Sequence, residues 1–193
     1  MKIKYLLPII VISAVASRAS ATTVIPPTFQ QLVQQAEVIF QGTVTNVRST
    51  WEGEGGQRHI SSYVTFQVQD SLKGTPGATY TIKMLGGTVG EDSFVITDAP
   101  QFQVGDNDVL FVENNGQQFV PLVGIMYGRF QVQHDVQTAR DIVLSNEGGP
   151  VQNVAMLGRA EGSEVSAGPT MALDDFKAAI KTELNTANAQ PSR

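Results

Sequence analysis

The stretch from Ala36 to Val47, AEVIFQGTVTNV, constrains the fold of this chain more than any other. Its apolar residues alternate with polar or small ones, which is the pattern of a β-strand with one buried face. The alternation shifts by one residue at Gly42, and a glycine at such a position is typical of a β-bulge or a sharp bend. Closure of a small barrel requires a long strand that bends. The sequence therefore predicts a mainly β domain, a small closed or half-closed antiparallel barrel.

The N-terminal residues differ in composition from the rest of the chain. Lys2 and Lys4 precede an apolar run from Tyr5 to Ala16, and the sequence Ala19-Ser20-Ala21 follows. These three parts predict a secretory signal peptide over residues 1–21, and hence an exported protein, periplasmic or extracellular. An uncleaved membrane anchor is the alternative, but a bilayer core requires roughly 20 apolar residues and this run is shorter.

Charge and cysteine content exclude several classes of partner and site. Removal of residues 1–21 would take away Lys2, Lys4 and Arg18 and no acid, so the formal charge would change from −5 to −8. An acidic chain of this kind is not expected to bind nucleic acid or anionic membrane surfaces. The chain has no cysteine, which excludes disulfides, thiolate zinc sites and thiol nucleophiles. Its stability must come from an apolar core.

Two helices are predicted on either side of the strands. Thr28 can cap a short helix from Phe29 to Gln35, with Gln31 in the position of a capping box. An amphipathic helix is predicted from about Met171 to Thr186. The apolar face of this second helix consists of Leu173, Phe176, Ile180 and Leu184. Such a face normally packs on its own domain, so we expect docking, and contact with another protein is the alternative.

Seven further strands are predicted from alternating or continuous apolar runs. They run over Ser61–Leu72, Thr79–Leu85, Phe94–Thr97, Val109–Glu113, Gln118–Val123, Gly128–Gln133 and Asp141–Leu144. The sequence Asn114-Asn115-Gly116 predicts a tight hairpin between two of them.

The predicted domain organisation follows the changes in composition. Residues 1–21 form the signal peptide and residues 22–144 the β-barrel domain. Residues 145–169, rich in Gly, Ser, Asn, Glu and Ala, are predicted to be a flexible linker. The C-terminal helix occupies residues 170–187, and residues 188–193 form a frayed tail.

Several segments resemble secreted bacterial proteins of uncharacterised function. They are AEVIFQGTV (36–44), VTFQVQDSLKG (64–74), PQFQVGDNDVLFV (100–112) and, in the last helix, LDDFKAAI (173–180). The strand order of those proteins is similar to that of the netrin-like, or tissue-inhibitor-of-metalloproteinase-like, OB-fold barrel. The resemblance covers about residues 29–132 and the last helix, and its motifs are scaffold motifs, so it implies a fold rather than an activity.

The resemblance does not extend to the inhibitory mechanism of that family. Metalloproteinase inhibitors of this type chelate the catalytic zinc through an N-terminal cysteine, whereas the predicted mature chain begins at Thr22 without one.

The residues that could support catalysis or metal binding lack the spacing that either needs. His59 and His134 are the only histidines and have no H-x-x-x-H or H-E-x-x-H setting. The acid pairs Glu91/Asp92, Asp106/Asp108 and Asp174/Asp175 are sequence neighbours, unlike the carboxylates that face each other across a glycosidase cleft. Asp106-Asn107-Asp108 lacks the further ligands of a calcium loop and is predicted to be a solvated turn. We therefore expect no catalytic residue, no metal and no cofactor, and both histidines on the surface.

The residues most suited to binding lie in a predicted mobile loop from Ser49 to Ile60. The candidate partner-binding residues of this loop are Trp51, Glu52, Glu54, Arg58 and His59. Trp51 could cover the barrel end or anchor a partner. OB-type barrels bind through one strand face and the adjoining loops, so the connection from Gly86 to Phe94 is a second candidate region.

The predicted function is a secreted or periplasmic, non-catalytic module that binds protein or peptide through the loops at the barrel end. A regulator or inhibitor of an extracellular metalloprotease is the alternative. A carboxylate-dependent hydrolase is a second alternative, which the missing convergence of acids disfavours.

Overall fold

The computed structural model describes residues 25–159 and 168–189, and the predicted signal peptide and frayed tail lie almost entirely outside them. The described residues form two α-helices, three short 3-10 helices and eight strands, and every strand pairing is antiparallel. The predicted mainly β, antiparallel fold with an N-terminal and a C-terminal helix is confirmed. The elements are α1 Phe29–Gln35, β1 Val38–Glu52, β2 His59–Lys73, β3 Thr79–Leu85, β4 Gly87–Val89, β5 Asp92–Phe94, β6 Asn107–Val112, β7 Arg129–Asp135, β8 Arg140–Ser145 and α2 Leu173–Ala189.

β1 organises the main sheet, whose strand order is β3-β2-β1-β6-β7-β8. It pairs with β2 along almost its whole length, and with β6 only from Val38 to Thr43. The register against β2 shifts between Gln41 and Gly42, which confirms the irregularity predicted at Gly42. A Cβ at Gly42 would lie 2.9 Å from the backbone oxygen of Gln67, so only glycine allows this close approach.

α1 begins with the predicted capping box. The backbone N–H of Gln31 donates to Thr28 Oγ1 at 3.2 Å, and the backbone N–H of Thr28 donates to Gln31 Oε1 at 2.8 Å. At the other end, Lys73 Nζ donates to the carbonyl oxygens of Val33 and Gln34 at 2.7 and 3.1 Å. A cation at these carbonyls satisfies groups that have no partner inside the helix. The end of β2 thus fixes the position of α1.

Two apolar clusters lie on opposite sides of β1. The outer cluster contains Ile39 of β1 with side chains of α1, α2, β6, β7 and β8. The inner cluster contains Phe40 and Val44 of β1 with side chains of β2, β3, β6 and residues 120–122. Neighbouring side chains on a strand point to opposite faces, so Ile39 and Phe40 belong to different clusters. α2 docks on the outer cluster through Phe176 and Ile180, as expected from its apolar face.

The free edges of β3 and β8 are covered by irregular segments. At β3, the backbone N–H of Lys83 donates to Asn115 Oδ1 at 3.0 Å and that of Leu85 donates to the carbonyl oxygen of Phe119 at 2.7 Å. At β8, Ile142 and Leu144 form bridges with Ala172 and Pro150. Covered edges of this kind protect a sheet from pairing with other chains.

Two sequence predictions of local structure were wrong. Half of the predicted loop from Ser49 to Ile60 is strand, because β1 continues to Glu52 and β2 begins at His59, leaving a turn over residues 53–58. The predicted strand from Gln118 to Val123 is not one: it makes a single bridge, Val112 to Leu122. The reason is that residues 113–119 turn away from β6 to cover the edge of β3.

Other predicted boundaries moved by a few residues. The strand predicted over Phe94–Thr97 was wrong beyond Phe94, because the strand at this point, β5, is Asp92–Phe94 and pairs with β4 in a small separate sheet. Within the predicted linker 145–169, Val151 is buried in the outer cluster and its backbone N–H donates to the carbonyl oxygen of Val143 at 3.1 Å. Residues 150–151 therefore pack on the sheet.

Candidate functional site

The five candidate binding residues lie at the end of the β1–β2 hairpin. Trp51 and Glu52 end β1, Glu54 and Arg58 lie in the turn, and His59 begins β2. The Arg58 guanidinium lies over the Trp51 ring, 4.2 Å from its centre. This cation–π contact orders two residues that were predicted to be in a mobile loop.

Glu52 is the centre of a polar cluster that joins three strands. Its carboxylate accepts hydrogen bonds from Ser61 Oγ at 2.9 Å and from Tyr63 Oη, both on β2. Lys83 Nζ of β3 lies 2.7 Å from Glu52 Oε2, and His59 Nε2 lies 3.7 Å from the same oxygen. We refer to Glu52, Ser61, Tyr63 and Lys83 as the Glu52 cluster.

The electrostatics of the Glu52 cluster keep Glu52 ionised. The hydrogen bond from Lys83, followed by that from Tyr63, lowers the pKa of Glu52 from 4.5 to about 2. The same bonds raise the pKa of Tyr63 and of Lys83, since each donates its proton to a carboxylate. The cluster is thus a fixed arrangement of charges, unlike a proton-transferring pair, whose pKa values lie near the working pH.

Sequence reasoning did not find Tyr63 and Lys83 as members of this site. They are cross-strand partners in the β2–β3 ladder, and Tyr63 also pairs with Arg48 of β1. The Arg48 guanidinium lies 5.3 Å from the centre of the Tyr63 ring. The alternation of β2 and β3 was visible in the sequence, but a one-residue change in register would have placed Tyr63 and Lys83 on different faces.

A shallow cleft lies beside the Glu52 cluster, where the covering segment of β3 meets the strands. One wall comes from β2 and β3, and the other from residues 116–119. Its lining residues are His59, Ser61, Lys83, Leu85, Gly116, Gln117, Gln118 and Phe119. The Phe119 side chain is 46% exposed and is the large apolar group of this cleft. The cleft therefore combines a fixed ion pair with an exposed aromatic ring.

The second candidate region, Gly86 to Phe94, forms the β4–β5 hairpin on the other face of β1 and β2. Ser62 Oγ lies 2.8 Å from Ser49 Oγ and donates to the carbonyl oxygen of Gly86 at 2.7 Å. Gly87 has φ +133°, and a Cβ there would overlap both serine oxygens. Glycine is therefore required where this hairpin crosses β1 and β2, and Phe94 and Val95 remain exposed at its edge.

The Asp106-Asn107-Asp108 segment was predicted to be a solvated turn, and this was wrong for Asp108. Asp108 is fully buried on β6, and Arg129 Nε of β7 donates to its Oδ1 at 2.9 Å. Arg129 Nη2 also donates to Asp106 Oδ2 at 2.9 Å. Burial raises the pKa of Asp108 to about 6, while Arg129 acts in the opposite direction. This buried pair fixes β7 against β6.

Among the remaining candidate groups, His134 and the acid pair Asp174/Asp175 border one cleft together with Arg140 and Asp141. His59 and His134 are both on the surface, as predicted, and His134 Nδ1 lies 2.9 Å from Asp141 Oδ1. Among residues 25–159 and 168–189, no three His, Asp or Glu side chains converge as metal ligands would.

Comparisons with known proteins add no family to this description. No protein-family model matches the chain, and no curated protein matches its sequence. Neither described helix is long and apolar enough to cross a bilayer.

Proposed function

We propose that this protein is an exported, non-catalytic binding module with an OB-like barrel. Its binding surface is formed by the face of β2 and β3 that carries Ser61, Tyr63 and Lys83. Two segments complete it, the turn at residues 53–58 and the covering segment at residues 113–119. The ligand is a protein or an extended peptide.

The barrel part of this proposal is supported by the inner apolar cluster. Side chains from β1, β2, β3, β6 and residues 120–122 all contribute to it. Residues 118–122 contact β6 through the Val112–Leu122 bridge, and β3 through the hydrogen bond from Leu85 N–H to the Phe119 carbonyl oxygen. Each of five segments thus contacts the next around a ring: β1, β2, β3, residues 118–122 and β6, which pairs again with β1. This is the connectivity expected of a small, partly open barrel.

The binding part is carried by one observation: the Glu52 cluster and residues 116–119 border the same cleft. OB-type barrels bind ligands on the face of their second and third strands and on the loops that flank it. In this chain those positions carry fixed charges and an exposed phenylalanine, Phe119. Polar groups held in place around an aromatic anchor suit a protein or peptide partner.

A capture experiment tests the binding surface. The mature chain, residues 22–193, is immobilised and exposed to an envelope extract of its source, beside the variants Phe119→Asp and Val136→Asp. Val136 is 84% exposed at the turn between β7 and β8 and controls for a surface charge far from the cleft. We expect one partner to be retained by the wild type and by Val136→Asp and lost by Phe119→Asp. Equal retention by all three would reject the surface.

Two further proposals come from the sequence. Export would leave a mature N-terminus at Thr22, which N-terminal sequencing of the envelope protein would identify.

Regulation of a metalloprotease is the alternative function, and inhibition of a purified extracellular metalloprotease by the mature chain would support it. Hydrolysis of a protease, esterase or glycosidase substrate, lost on mutation of an acid pair, would contradict a non-catalytic role.

A further inference from the structure

On one edge, β1 pairs with another described strand along only part of its length. On the side of β6 its ladder ends near Val44, whose N–H donates to the Asp106 carbonyl oxygen at 2.8 Å and whose carbonyl oxygen accepts from Gly105 N–H at 2.9 Å. Over residues 46–52, β1 pairs with β2 alone in the described part of the chain. About half of the backbone N–H and C=O groups of such a strand point away from its single partner. We call residues 46–52 the open β1 edge.

The open β1 edge differs from the two end edges of the sheet. Residues 115 and 119 bind β3, and residues 150 and 172 bind β8. β1 instead continues well beyond β6, with Asn46, Val47 and Arg48 exposed. An uncovered edge with an exposed apolar side chain is a template for pairing with another strand.

The charged side chains of the open β1 edge are placed so that two antiparallel copies of the strand would bring opposite charges together. Arg48 lies near one end and Glu52 at the other. In an antiparallel pair of two such strands centred on Thr50, Arg48 of each copy lies opposite Glu52 of the other. A parallel pair would instead place like charges together, and opposite charges across a ladder are stabilising while like charges are destabilising.

We propose that the open β1 edge pairs antiparallel with the same edge of a second copy of this chain, with Thr50 at the two-fold axis. The pairing joins the two sheets through β1 and forms an isologous interface. It uses Arg48 and Glu52 of β1, so it shares Glu52 with the Glu52 cluster, whereas the cleft residues Lys83 and Phe119 lie on other segments.

A cross-linking experiment tests the register. The chain has no cysteine, so a single introduced thiol reports on one position. Residues directly opposite in an antiparallel pair have Cα atoms about 4.5–5.5 Å apart, within the range of about 4.4–6.8 Å that a disulfide spans. We expect Thr50→Cys to form a covalent dimer on mild oxidation and Val136→Cys, at an exposed turn, to remain monomeric. Equal dimer yields from both variants would overturn the register.

Analytical ultracentrifugation of the mature chain over a wide concentration range tests the association itself. We expect a reversible dimer for the wild type and for Arg140→Glu, which makes the same charge change on β8. Arg48→Glu places two pairs of like charges opposite each other and should weaken the dimer by about tenfold. Circular dichroism verifies that each variant is folded. A wild type that sediments as a monomer throughout, or a dimer that Arg48→Glu leaves unchanged, would overturn the proposal.

Discussion

At the scale of single residues, two carboxylates show opposite effects of their surroundings. Glu52 is partly exposed and receives three donated hydrogen bonds or ion pairs, so its pKa falls to about 2. Asp108 is fully buried, and the cost of desolvating its charge exceeds the stabilisation from Arg129, so its pKa rises to about 6. The number of hydrogen-bond donors and the access of water decide whether the pKa of each carboxylate rises or falls.

The lowered pKa of Glu52 predicts a specific loss of stability in acid. A group whose folded pKa lies below its unfolded value stabilises the fold above the unfolded pKa, and this contribution is lost as pH falls through the folded pKa. For Glu52 the loss occurs between about pH 4.5 and about pH 2. We expect the difference in unfolding free energy between wild type and Glu52→Gln, measured by urea titration, to shrink steadily over that range. If the difference in unfolding free energy did not change with pH, the stabilisation of the Glu52 carboxylate by its cluster would be contradicted.

Whether the sequence reveals one of these residues depends on how far along the chain its contact partner lies. Glu52 and His59 were identified because they lie together at a hairpin end. Lys83 was missed because its contact with Glu52 depends on two ladder registers, which alternation alone does not determine. Asp108 was assigned to a solvated turn because Arg129, its partner, is 21 residues away and on another strand. Long-range pairing of this kind leaves no local pattern in the sequence.

At the scale of elements, helices and strands with strong local signals were predicted well. The capping box at Thr28 and the alternation over Thr79–Leu85 identified α1 and β3 at their observed bounds. The glycines at residues 53, 55 and 56 indicated a long loop, but the glycine-rich turn is short, because β1 and β2 pair up to Glu52 and His59. Tertiary pairing extended the strands beyond their local propensity.

The docking of α2 predicts a large effect of one aromatic side chain. Phe176 is fully buried, and its ring centre lies 5.9 Å from that of Phe29 and 4.9 Å from that of Phe130. Phe176→Ala should lower the unfolding free energy by roughly 3–5 kcal/mol, because it removes apolar contacts and leaves a cavity. Lys181→Ala, on the exposed side of α2, should change it by less than about 0.5 kcal/mol. If chemical denaturation showed the same small change in unfolding free energy for both variants, α2 would not dock on the outer cluster.

At the scale of the whole molecule, the crossing of residues 113–119 from β6 to β3 creates the candidate surface. β1 separates the inner from the outer apolar cluster, and residues 113–119 cross from the end of β6 to the edge of β3. Without this crossing, the Glu52 cluster would lie on an open sheet edge with no facing wall. The proposed barrel and the proposed binding surface therefore depend on the same contact.

Amide hydrogen exchange at Lys83 and Leu85 tests that contact most directly. The N–H of Lys83 donates to Asn115 Oδ1 and that of Leu85 to the Phe119 carbonyl oxygen, at 3.0 and 2.7 Å. We predict that both amides exchange far more slowly than in an unfolded peptide, and that Asn115→Ala speeds exchange at Lys83 while Leu85 stays protected. Exchange of both amides at unfolded-peptide rates in the folded wild type would mean that residues 113–119 do not close onto β3, and would contradict the proposed surface.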